Sequence, residues 1–116
     1  MAVRQGTTHT IPIRYGGVIE DNAVIMIIMS QVGKQLSKST KDSGEDVWYE
    51  PITDKDGAQI ATRIYVSLSQ EETLYFDPGK VNKQIRWIYA EGTAGASGIV
   101  TEEWQAILKK EVIRYE

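Results

Sequence analysis

Two neighbouring carboxylates are the usual place to look for acid–base chemistry, and the chain offers such a pair at Glu71-Glu72, within Ser69-Gln70-Glu71-Glu72. Adjacent residues project to different sides of a regular backbone, and nothing in the adjoining sequence supplies a general base or a metal partner. The spacing serves another purpose. In S-x-x-E the serine oxygen and the glutamate each satisfy an orphan backbone donor at a helix start. Residues 69–74 are therefore predicted to form one short helical turn, ended by Asp77-Pro78-Gly79, with Leu74 and Phe76 sealing the corner.

The other chemically suggestive residues follow the same logic. His9 is the only histidine, so one chain can build neither a two-histidine metal site nor a relay between histidines; flanked by threonines, it reads as a surface residue. Asp54-Lys55-Asp56-Gly57 has the start of a calcium loop but lacks the further acids and closing glutamate, and reads as a turn. Glu91 to Gly98 has Gly-x-x-Gly spacing without the Lys-Ser/Thr ending of a phosphate loop, and reads as a flexible connection. No serine stands in a nucleophile elbow. No catalytic residue, cofactor or metal is assigned. Trp48 and Tyr49, with Tyr65, remain as a candidate interaction surface, since amphipathic rings give large contact area at low entropy cost; ordinary core duty is the competing reading for Trp48 and Tyr49.

The elements that must position these residues are strands. Ile11, Ile13 and Tyr15 alternate with polar neighbours, and Pro12, which removes a ladder donor, places that strand at an edge. After Gly16-Gly17, residues 23–29 are apolar on both sides, as expected of a central strand covered above and below. Residues 33–41 are polar apart from Leu36, with lysines at 34, 38 and 41 in solvent guarding an edge. Val47 to Ile52 and Ala58 to Leu68 flank a short Asp/Gly turn and predict a hairpin, its first arm at an edge because of Pro51. In the second arm Ile60, Thr62, Ile64, Val66 and Leu68 share one face. Val81 to Ala90 places Ile85, Trp87 and Tyr89 opposite Gln84, Arg86 and Ile88. The last stretch is ambiguous: Trp104, Ile107, Leu108, Val112 and Tyr115 fall at helical spacing, whereas Ile99-Val100-Thr101 opens as a strand does.

Composition narrows the function classes. With 116 residues, one core suffices. There is no cysteine, which excludes disulfides and thiolate metal sites. A net charge of −3 with scattered basic residues is the wrong balance for neutralising phosphates, so nucleic acid is not expected. The longest apolar run is far shorter than the ~20 residues that span a bilayer, and the opening residues lack the apolar core of a secretory signal; no membrane association is expected.

The ordered set "RQGTTHTIPI" (4–13), "VSLSQEETLYF" (66–76), "KQIR" (83–86) and "GASGIV" to "LKKEVI" (95–113) resembles a family of short proteins encoded in the tail modules of phages and prophages of Gram-positive bacteria. The resemblance implies a single all-β domain, an immunoglobulin-like β-sandwich of about seven strands, with a strand over residues 98–107 and a short terminal turn. Residues 42–57 depart from the pattern as a hairpin insertion. It also implies a non-catalytic role in a tail or baseplate, assembled in the host cytoplasm and carried in the virion, with other tail proteins as partners and many copies in a symmetric assembly. A saccharide-binding module resting on Trp48, Tyr49 and Tyr65 is the alternative.

Overall fold

The computed structural model describes residues 2–20, 22–42 and 44–115. Two β-sheets face each other. Nine strands are present among the described residues: β1 (Ala2–Arg4), β2 (His9–Tyr15), β3 (Val24–Gln31), β4 (Lys34–Ser39), β5 (Val47–Thr53), β6 (Gln59–Leu68), β7 (Gly79–Ile88), β8 (Ala94–Ala96) and β9 (Val100–Gln105). One short helix, α1 (Gln70–Tyr75), follows β6, and a single 3-10 turn, Gly44–Asp46, precedes β5.

The smaller sheet has the order β2-β6-β5, and the larger runs β1-β9-β7-β3-β4 with β8 added on β7. All pairings are antiparallel except β1 with β9, which is parallel. A three-strand layer against a layer built on β9-β7-β3-β4 is the strand order of an immunoglobulin-like sandwich, as expected. The count exceeds seven because of two short strands. β1 pairs only three residues, and β8 forms inside the glycine- and alanine-rich stretch that read as a flexible connection. Ala and Gly carry no alternation to announce a strand, but Ala94, Gly95 and Ala96 pair with Ile88, Trp87 and Arg86. Gly95 is required there: a Cβ would come within 2.5 Å of the Trp87 indole.

Alternation decides which side chains fill the interior. Ile11 and Ile13 of β2, with Val47, Ile64 and Val66, meet Ile25, Ile27 and Met29 of β3, with Val81, Ile85 and Trp104. No disulfide ties the sheets, and Tyr15 of β2 packs on Trp87 of β7 across them, ring centroids 4.8 Å apart. The buried Thr62 hydroxyl bonds both Gly17 O and Ile19 N, anchoring the β2–β3 connection.

The opposite end of the sandwich is closed by α1. Ser69 caps it by accepting from Glu72 N, and the Glu72 carboxylate accepts from Ser69 N, so both halves of the capping box form. Phe76 is fully buried edge-on to Trp104. The Trp104 indole donates to Thr73 O at 2.7 Å, Thr73 Oγ1 donates to Thr7 O, and the Gln5 amide donates to Phe76 O. The Trp104, Thr73 and Gln5 donors buried in the corner each gain an acceptor, which is what permits their burial, while Gln5 Oε1 is buried without a partner among the described residues.

Three expectations are corrected. Lys38 does not lie in solvent: it is 6% exposed and points inward, because it pairs with Ile27, an inward residue of β3. The outer side of β3 is not covered: Val24, Met26 and Ile28 are only half-buried. The expected short terminal turn is not formed either: β9, Val100–Gln105, lies within the expected strand over 98–107, and residues 106–115 have no regular structure.

Candidate interaction surfaces

The first predicted surface is divided by the pleat. Trp48 and Tyr65 are register partners on β5 and β6 and stack on the outer face of the small sheet, centroids 5.2 Å apart and planes within 16°. Tyr65 also pairs with Pro12, so Pro12, Tyr65 and Trp48 form one row across three strands. Tyr65 donates its hydroxyl proton to Glu50 at 2.7 Å. Trp48 is 40% exposed at the sheet edge. Tyr49, one residue on, necessarily faces the other way: it packs against the core, its hydroxyl donating to Glu20 O.

A second surface is the outer face of the larger sheet. A hollow there is lined by Val24, Met26, Arg86, Trp87, Ile88 and Ala94, and a second lies toward Ile28 and Ile99. Ile88 is 46% exposed and Ile99 68%. Arg86 sits in the middle, paired in register with Met26 and Ala96, and its guanidinium has no hydrogen-bond or ion-pair partner among the described residues. Apolar side chains around one unengaged arginine have the composition of an interface centre. Sequence reading missed this face because the outward residues of β3 look like core when the run is apolar throughout.

Three sheet edges, those of β2, β5 and β4, are in contrast obstructed. Pro12 interrupts β2 and Pro51 interrupts β5, both edge strands as predicted, and β5 also carries a register irregularity between Ile52 and Thr53. On β4, the Gln35 amide is taken by the Tyr75 hydroxyl at 3.3 Å, while Lys34 bonds Tyr75 O and lies near Asp77. Proline, a bulge and a covering side chain are ways of denying an incoming strand its ladder bonds.

The titratable groups of the interior are structural in geometry. Lys38 Nζ donates to Ser67 O at 2.7 Å, Glu72 Oε1 at 2.8 Å and Asp46 Oδ2 at 2.9 Å, using all three of its protons. Burial alone would lower its pKa, but the Glu72 and Asp46 carboxylates outweigh that and raise it above the ordinary 10.5. Glu72 thus serves the cap and Lys38 together, while Glu71 is exposed. Lys83 and Glu102 form a second ion pair, both almost completely buried between the sheets. His9 is half-buried at the start of β2. Asp54 Oδ1 accepts from Asp56 N and Ala58 N, forming the predicted turn, with Gly57 at φ 86°. Residues 44–53 of the predicted insertion are the 3-10 turn and β5, an integral strand of the small sheet.

No family model, curated protein or solved structure matches the chain.

Proposed function

We propose that this chain is a non-catalytic docking module of a phage tail or baseplate, holding neighbouring virion proteins by the outer faces of its sheets. The apolar outer face of the larger sheet, with Arg86 at its centre, carries this reading. Obstruction of the β2, β5 and β4 edges favours that face over strand addition there, and the tail-module resemblance of residues 4–13, 66–76, 83–86 and 95–113 supplies the assembly. Repeated copies would turn a modest contact into a firm one. Mass spectrometry of purified particles from the native source, with electron microscopy to place the domain, tests it: the chain should be present in stoichiometric amount, and its absence would overturn the reading.

The stacked, part-exposed Trp48 beside Tyr65 supports a second reading, a saccharide-binding module for cell-wall recognition. Calorimetric titration with cell-wall saccharides separates the two, since the docking module gives no heat and the saccharide module loses its heat on Trp48→Ala.

A further inference from the structure

Residues 106–115, Ala-Ile-Leu-Lys-Lys-Glu-Val-Ile-Arg-Tyr, leave the sandwich after β9. Their hold on the body is slight. Ile107 lies beside Gly6, and the Gln70 amide accepts from Ile113 N and donates to Ile113 O. Leu108 and Tyr115 are fully exposed, and Ile113 is mostly so. Yet the residue types favour helix, and Leu108, Val112 and Tyr115 recur at i, i+4 and i+7, a single stripe if the segment coils. Glu111 falls on the same stripe, three residues after Leu108. An amphipathic helix without a surface to bury its stripe is unstable at this length, which accounts for its irregular form in the isolated chain.

From these features we infer that residues 106–115 are a docking arm that becomes helical on the outer face of the larger sheet of a second copy of this chain. Three observations fit arm to face. The stripe from Leu108 to Tyr115 spans about 10 Å as helix, and the apolar row from Val24 to Ile28 about 13 Å along its strand. Glu111 on the stripe meets Arg86, the unengaged cation of the hollow; among the described residues Glu111 pairs with exposed Lys109. The arm is cationic, with Lys109, Lys110 and Arg114 against Glu111, whereas residues 1–105 carry ten basic and fourteen acidic residues, net −4.

The arm must serve another copy rather than its own body. β9 ends beside Gly79, where Trp104 pairs, whereas the hollow lies at the Ile88 end of the same β7 strand. From Gly79 to Arg86, the residue Glu111 must meet, is about 23 Å along the strand, and a ten-residue helix reaches only about 15 Å. The inference rests on the docking reading and names its partner.

Sedimentation velocity of the full chain over a wide concentration range, followed in parallel by far-UV circular dichroism, tests it. Association should rise with concentration together with helix content. Leu108→Ser, Arg86→Glu and Glu111→Arg should each weaken association about tenfold, and Arg86→Glu with Glu111→Arg in one chain should restore most of it. All three positions are exposed, and thermal unfolding checks that each variant folds. A chain that stays monomeric throughout, leaving the face to a different tail protein, overturns the inference, as does association indifferent to Leu108 or Arg86. The outcomes separate from those above: a chain found in particles but monomeric when pure defeats the arm alone, and a self-associating chain absent from particles defeats the tail assignment alone.

Discussion

The corner around α1 and the arm that follows β9 touch at Gln70, yet they are built on opposite terms. In the corner, Lys38 has three acceptors, Ser69 and Glu72 cap each other, and the Trp104 indole reaches Thr73 O. In the arm, apolar side chains stand in water and two bonds to one glutamine fix the backbone. The contrast separates what holds the domain together from what the fold does not need. Groups that cannot be removed without leaving an orphan belong to the fold, and groups whose removal leaves the monomer unchanged are free of it.

That contrast can be broken most severely at Trp104. Trp104→Ala should cost about 3–5 kcal/mol in urea unfolding monitored by circular dichroism, because it empties the space against Phe76 and strands Thr73 O. Lys38→Ala comes next, at about 2–3 kcal/mol, since Glu72 and Asp46 lose their cation while Glu72 stays partly enclosed. Ser69→Ala removes only the acceptor for Glu72 N and should cost about 1 kcal/mol.

The Lys38 contribution has a pH signature. A lysine whose pKa is raised by folding stabilises fully below its unfolded value, and that stability is lost as pH rises through the folded value. The gap between wild type and Lys38→Ala should therefore be constant through neutral pH and close only above about pH 10.5, as measured by paired denaturation curves. The smallest effect is expected in the arm: Leu108→Ser should leave monomer stability within about 0.5 kcal/mol. A large loss there would erase the distinction between the two regions.

How much of this the sequence reveals depends on the range of the cause. The capping box, the Asp54 turn and the edge prolines are legible because their reasons lie within a few residues: Ser69 meets Glu72, Asp54 meets Asp56, and Pro12 and Pro51 lack a donor wherever they stand. Lys38 is not legible. Polar patterning sends lysine to water, and only the folded chain brings Glu72, 34 positions away, to its ammonium. The candidate interaction surface is half legible for a related reason. Trp48 and Tyr49 are adjacent in sequence, but a strand turns adjacent side chains to opposite faces, so the true neighbour of Trp48 is Tyr65 and Tyr49 belongs to the core. The last stretch is ambiguous because its helical periodicity and its β-branched opening point different ways; the strand is realised as β9, and residues 106–115 take no regular form.

The parallel pairing of β1 with β9 carries a mechanical consequence. Ala2, Val3 and Arg4 lie alongside Glu103, Trp104 and Gln105, so the chain enters at one end of this pair and leaves at the other. Tension applied between Ala2 and Gln105 runs along the strand axis. The bonds joining the two strands are then loaded together instead of peeling open in turn.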